Sequence, residues 1–391
     1  MKYLRAFGRK MVTWAEEIWQ KRVAPCLLWF YPVQKDKCVF INFNGKGYGC
    51  NPKYIAQEIL RQGRRWDLVW LVSNSEEKFP KGIRKAPFRR WRGLKEIATA
   101  KIIVTNVKND LCLRKKKGQY IIQTWHASYG AKKVEAEALD VLPLSYIRES
   151  KRNSKQTDLF LSNSSAMSRC IREAYWYTGE ILECGLPRND VLFLNDNVLK
   201  ERIRRMVGIG PGEKVLLYAP TFRDDHSLNG YTLDCVGVLN SLQAIGNQWR
   251  LLIRLHPNVG KVDGLFPKDP RIKEVTYYPD MQELLMISDI LITDYSSTPF
   301  DFAAMGKQVI IYSPDLEEYQ RIRGLKEDFF RTPYPICVTN AELIHAVKEY
   351  TPAKAKLQAE KFISYFGGVD NGTASKRVVE KMGEVISGRK L

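Results

Sequence analysis

Histidine is scarce in this chain: four occur among 391 residues. Cysteine is more frequent, but none of Cys26, Cys38, Cys50, Cys112, Cys170, Cys184, Cys235 and Cys337 forms a Cys-x-x-Cys pair. That spacing argues against a zinc site. No signal-peptide pattern opens the sequence, so the thiols are expected to be reduced and mostly buried, in a cytoplasmic protein. Long apolar runs are missing as well. The longest near the start, residues 24–33, is about ten residues, and a bilayer span needs ~20. No segment is therefore expected to cross a membrane. Neither Gly-x-Gly-x-x-Gly nor the Walker spacing occurs, which removes the two common nucleotide fingerprints.

Acids are outnumbered. Lys and Arg total 62 against 43 Asp and Glu, a net charge of +19. The excess is local: residues 1–35 hold seven bases against two acids, and residues 81–117 hold thirteen against two. Concentrated positive charge implies an anionic partner. In residues 1–32, Phe7, Met11, Trp14 and Ile18 recur at helical spacing, flanked by Arg5, Arg9, Lys10, Lys21 and Arg22. A basic amphipathic helix carrying Trp and Phe suits a membrane interface. Residues 1–35 are accordingly expected to form a membrane-surface leader. Arg89-Arg90-Trp91-Arg92 mixes cations with an aromatic ring, but no nucleic-acid module accompanies it, and nucleic acid is not an expected partner.

From Cys38 onward, short β-rich runs alternate with helical stretches in two series. Such alternation predicts an α/β protein with parallel sheets. Two series predict two Rossmann-like domains, at residues 36–195 and 196–391. Ligands of such sheets bind beyond the carboxyl ends of the strands. A cleft between two of them is the GT-B architecture.

The segment from Ser288 to Asp301 is the most informative. An apolar run, Ile290 to Ile292, ends in the hydroxyl-rich stretch Thr293-Asp294-Tyr295-Ser296-Ser297. Thr298, Pro299 and Asp301 have the spacing of an N-cap, a first helical residue and a capping acid, and Gly306 is placed to end the helix. A strand that feeds a helix N-terminus through small hydroxyls predicts a phosphate site. His126 and His256 each follow a predicted strand, at its carboxyl end. Pro257 aims His256 out of the strand. Thr221 and Arg223 lie just past a third strand, and an arginine fork suits phosphate. Arg188 and Arg254 are further candidates. Asp294 is expected to meet substrate hydroxyls or to fix a neighbouring histidine or arginine. The Gly-x-Gly-x-Gly run after Asn44 predicts close approach of backbone to a ligand. No Asp-x-Asp with a flanking strand occurs, so a metal-dependent GT-A transferase is not expected.

Six motifs stand in order along residues 38–380: Gln123-Thr124-Trp125-His126, Gly185-Leu186-Pro187-Arg188-Asn189-Asp190, Tyr218-Ala219-Pro220-Thr221-Phe222-Arg223, Arg254-Leu255-His256-Pro257-Asn258, Leu291-Ile292-Thr293-Asp294-Tyr295-Ser296-Ser297, and Asn371-Gly372-Thr373-Ala374-Ser375-Lys376-Arg377. Together they resemble the CDP-glycerol glycerophosphotransferase family. The resemblance implies the GT-B fold, a CDP-glycerol or related CDP-polyol donor, and no cofactor or metal. It implies an acceptor that is a polyprenyl-diphosphate-linked saccharide, met at the cytoplasmic face of the membrane. It also implies that His126 and His256 are catalytic, His126 as general base on the acceptor side and His256 as a contact to the donor diphosphate that can share the proton transfer, with the two roles exchangeable on sequence alone. Thr221, Arg223, Arg254, Arg188, Thr293, Asp294, Ser296, Ser297 and Asp301 become the expected substrate contacts. Where the family often has Gly-Thr-Pro after the first histidine, this chain has Ala127-Ser128-Tyr129. Its short length resembles primases rather than polymerases. A GT-B glycosyltransferase using a nucleotide sugar is the alternative reading.

Overall fold

Two series of short apolar runs, buried on both faces, build two parallel sheets. The computed structural model describes residues 23–74, 76–108, 113–223, 227–260 and 264–388. Most of the expected leader, residues 1–22, lies outside them, as does His226. The first sheet comprises β1 (Lys37–Ile41), β2 (Asp67–Val72), β3 (Ile83–Pro87), β4 (Ile102–Thr105), β5 (Tyr120–Gln123), β6 (Leu159–Ser162) and β7 (Glu180–Glu183). The second comprises β8 (Lys214–Tyr218), β9 (Trp249–Ile253), β10 (Ile272–Glu274), β11 (Ile290–Thr293), β12 (Gln308–Tyr312) and β13 (Ile336–Cys337). Strands β1, β4, β11 and β12 are buried at every residue, the pattern of a strand covered by helices on both faces.

The spatial orders are β3-β2-β1-β4-β5-β6-β7 and β10-β9-β8-β11-β12-β13. Each order reverses beside its first strand, so each sheet has a switch point at its carboxyl edge, between β1 and β4 and between β8 and β11. The fold is the expected pairing of two Rossmann-type sheets.

Three elements depart from the sequence reading. Strand β3 was not expected. Its sequence is charged and only Ala86 is buried, because it is an edge strand; charges on an edge discourage pairing with other chains. Second, the basic stretch 81–117 is partly consumed by structure. Arg84 binds Asp67 and Glu96, Lys115 binds Asp158, and Lys116 donates to the carbonyls of Leu28 and Tyr31. Third, the last helix, Ala374–Ser387, leaves the second sheet. Its Val378, Val379 and Met382 join the core beneath β1 and β2. The chain returns through Gly367 and Gly372, both at positive φ. Residues 374–387 thus pack with the first sheet, although the 196–391 division assigned them to the second.

Candidate active site

Backbone strain marks the first half of the site. Trp125 follows β5 at φ +51°, a conformation rare for a bulky side chain. Asn51 holds it there by donating to the carbonyls of Thr124 (3.3 Å) and Trp125 (2.8 Å), while Trp125 N donates to Gln123 Oε1. The turn carries His126 out between the rings of Phe43 and Trp125, with centroids 5.3 and 4.5 Å away. Its Nδ1 lies 2.8 Å from the Asn106 carbonyl. A carbonyl only accepts, so Nδ1 carries the proton and Nε2 keeps its lone pair. Burial pushes the imidazole down to about 4, and the charge of Arg188 adds to that, against the opposing Asn106 hydrogen bond.

His256 has the opposite arrangement. Its Nδ1 accepts the Asn258 N–H at 3.2 Å, which leaves the proton on Nε2. The ring is exposed and leans on Phe222, with centroids 5.6 Å apart. Its pKa is also held below the ordinary histidine value, first by partial desolvation of the half-covered ring and then by the charges of Lys132, Arg254 and Lys46. Lys46 and Lys132 belong to the first sheet's loops. The loop from Phe43 to Lys46 touches His126 through Phe43, and the Lys46 charge contributes to the lowering at His256.

At the second switch point, Asp294 and Arg223 tie β8 to β11. One Asp294 oxygen accepts the N–H groups of Thr221 (2.8 Å) and Tyr295 (2.7 Å); the other accepts Arg223 Nη1 (2.9 Å). The rest of the Arg223 fork binds Asp315 at 2.7 and 3.0 Å. Arg223 is buried and doubly neutralised, so it braces the loop rather than offering a fork to phosphate. Asp294 fixes an arginine, one of the two roles expected of it. Thr293 Oγ1 donates to the Ala219 carbonyl inside the sheet. Thr221 Oγ1 is different: it is buried and finds no hydrogen-bond partner among the described residues.

The Ser296 hydroxyl shares a 2.6 Å hydrogen bond with Thr298 and accepts the Thr298 N–H. Ser297, not Thr298, occupies the N-cap position of the helix Thr298–Ala303. A Cβ built on Gly130 would lie 3.6 Å from Ser297 Cβ, so this serine loop faces the loop that follows His126. Asp301 does not cap its helix. It is buried and binds Arg188 through both oxygens, at 3.2 and 2.9 Å, together with Asn189, Gln282 and Ser128. Arg188 in turn donates to the His126 carbonyl. Both residues serve the junction between the sheets and hold the His126 segment. Arg254 donates to the Tyr278 carbonyl at 2.7 Å and adds its charge near His256.

Ser128 and Tyr129, in the place of the family's Thr-Pro, point to the second domain. Ser128 binds Asp301 and Asn163; Tyr129 binds Asp328 at 2.7 Å. Asn42, Asn106 and Lys132 were missed by the sequence reading, whereas Lys46 lies within the Gly-x-Gly-x-Gly run it singled out. An asparagine directly after an apolar strand, as in Ile41-Asn42 and Thr105-Asn106, was the available signal.

Comparison with known proteins identifies the family and the fold. The family model described as CDP-Glycerol:Poly(glycerophosphate) glycerophosphotransferase matches residues 24–383. The chain is 30% identical to a teichoic acid poly(glycerol phosphate) polymerase of Bacillus spizizenii, over 90% of this chain and 93% of the relative. It is 31% identical to the polymerase of that name from Bacillus subtilis, where 89% of this chain spans only 48% of the relative. It is 29% identical to a teichoic acid glycerol-phosphate transferase of Staphylococcus aureus, over 88% and 92% of the two chains. A solved structure of the wall teichoic acid polymerase TagF, soaked with CDPG, superposes with a TM-score of 0.84 at 27% identity, covering 99% and 98% of the two chains. Since a polymerase of similar extent is among these relatives, length does not favour a primase. With two Rossmann-type sheets in the GT-B arrangement and a histidine at the mouth of each, the chain belongs to the CDP-glycerol:poly(glycerophosphate) glycerophosphotransferase family.

Proposed function

We propose that this chain transfers glycerol phosphate, or a related polyol phosphate, from a CDP-polyol to a hydroxyl of a lipid-linked saccharide or polyol-phosphate acceptor in teichoic acid-type polymer synthesis. The observation that carries this reading is the pair of histidines in opposite tautomers, one at the carboxyl end of a strand in each sheet. His126 presents a lone pair at Nε2 and takes the acceptor's hydroxyl proton. The acceptor oxygen then bonds to the β-phosphorus, the bond from that phosphorus to the bridging oxygen breaks, and CMP leaves with the bridging oxygen. His256 presents Nε2–H and donates to the diphosphate, joined by the charges of Lys46, Lys132 and Arg254. Thr221 Oγ1 and the Ser296–Ser297 loop offer hydroxyls to the same group.

The acceptor's membrane location is supported by the surface near residue 30. Leu27, Trp29 and Phe30 are exposed, Phe30 at 86%, and Lys95 lies over the Tyr31 ring. Arg114 and Lys117 line a hollow nearby with Arg152 and Lys155. Aromatic side chains beside cations suit the cytoplasmic face of an anionic bilayer. No helix among the described residues is long and apolar enough to cross a membrane.

Incubation with CDP-glycerol, CDP-ribitol and UDP-sugars tests the donor. CMP release from a CDP-polyol, stimulated by a lipid-linked saccharide, is expected. UDP release from a UDP-sugar instead would establish the glycosyltransferase alternative. The pH profile tests the base. His126 acts when neutral, so kcat/KM is expected to hold as pH falls through 6.5 and to drop only as it nears His126's own value of about 4. An acid limb at the ordinary histidine value would remove His126 from that role.

A further inference from the structure

The tautomer of His126 depends on one main-chain carbonyl, and that carbonyl belongs to a residue whose side chain is wholly buried. Asn106 stands directly after β4, at the first sheet's switch point, with no exposed surface. Its amide makes two bonds. Oδ1 accepts the Phe43 N–H at 2.9 Å, and Nδ2 donates to Asn42 Oδ1 at 2.7 Å. Asn42, 3% exposed, directly follows β1. Its Nδ2 donates to the carbonyls of Lys46 (2.7 Å) and Gly47 (3.1 Å), and its own carbonyl accepts the N–H groups of Gly45 (2.8 Å) and Lys46 (2.9 Å).

Two neutral amides therefore join three things that the chemistry needs in register. The Asn106 carbonyl faces His126. The Phe43 ring packs on that imidazole. The Lys46 turn, held by Asn42 Nδ2 through its carbonyl, carries a cation. Phe43, Asn44 and Gly45 have φ of +41°, +58° and +89°, so this loop holds a conformation that the chain would not keep unaided. A buried amide is costly to leave unpaired, and here each donor and the shared acceptor are matched. The arrangement is fixed by complementarity, as where an outer hydrogen-bond partner sets an imidazole's tautomer.

We infer that the buried amide pair Asn42–Asn106 is a positioning element for the transfer, holding His126 in its Nδ1-protonated form and the Lys46 turn beside it. Neither residue meets the reacting atoms; they act through His126 and the loop. The inference rests on the reading of His126 as the base.

The test uses the full chain labelled with 15N-histidine, its His126 signals assigned by their loss in His126→Ala. Long-range 1H–15N spectra read the imidazole tautomer, and CMP release from CDP-glycerol reads the rate. Wild type is expected to show a protonated Nδ1 and a bare Nε2. Asn106→Ala leaves the Phe43 N–H unpaired and frees the peptide to turn; it should mix the tautomers and lower kcat on the order of 100-fold, with KM for CDP-glycerol within about threefold. Asn106→Asp keeps the acceptor for Phe43 and should recover part of both readouts. It also serves if the alanine variant fails to fold. An unchanged His126 tautomer in Asn106→Ala overturns the inference, and so does a changed tautomer with an unchanged kcat. Full activity of His126→Ala overturns the reading of the base instead, and the tautomer measurement separates the two failures.

Discussion

Replacing His126 with alanine is expected to lower kcat by about 10²–10⁴-fold, the range for loss of a positioned general base, in a protein that folds normally. Among the described residues the imidazole makes one hydrogen bond, to the Asn106 carbonyl, and losing one such bond costs about 1 kcal/mol. Activity and stability are therefore expected to separate. His256→Ala should behave differently. That ring is exposed and its Nδ1 only accepts from a neighbouring N–H, so its removal should raise KM for CDP-glycerol as well as lower kcat. The decisive comparison is the acid limb of kcat/KM. It should survive near pH 4 in His256→Ala and vanish in His126→Ala, because only the base contributes it. Loss of that limb in His256→Ala would exchange the two roles, and wild-type rates in both variants would end the mechanism.

The features legible in the sequence share a physical cause: they are local. Strands such as β11 and β12 announce themselves because every residue is buried. A histidine at the end of such a strand must lie at the sheet's mouth. What escaped the sequence depends on partners far along the chain. Arg223 has the fork and the position of a phosphate ligand, yet Asp294 and Asp315, 71 and 92 residues away, neutralise it. Thr298-Pro299-Phe300-Asp301 has the spacing of a capped helix, but Arg188 outcompetes the helix N-terminus for the carboxylate. A buried, charge-assisted hydrogen bond from the Arg188 Nη2 to both carboxylate oxygens is stronger than a cap. Strand β3 was hidden because an edge strand can carry charge where a central one cannot. The return of the last helix to the first sheet has no local signal at all: an amphipathic helix does not state which sheet it covers.

Asp301 is where the largest loss of stability is expected. Its carboxylate, 3% exposed, collects Arg188 and Asn189 from the segment Pro187–Phe193, Ser128 from the loop after His126, and Gln282 from the helix Met281–Ile287. These partners come from both halves of the molecule. Asp301→Ala leaves the Arg188 guanidinium buried with no counter-ion, a change that costs ~3–5 kcal/mol. It should lower the thermal midpoint by several degrees. Because Arg188 also holds the His126 carbonyl, the folded fraction should be slower as well. A double variant separates the two effects. Arg188→Met with Asp301→Leu removes both charges together, and well-packed apolar pairs often match or exceed the buried ion pairs they replace. Its midpoint should rise above that of Asp301→Ala but stay below wild type, because Asn189, Gln282 and Ser128 still lose their acceptor, while kcat stays low, since the His126 segment has lost its arginine. An unchanged midpoint in Asp301→Ala would mean that water or a neighbouring carboxylate such as Asp370 compensates the arginine. Full activity in the double variant would show that the segment carrying His126 keeps its place without that ion pair.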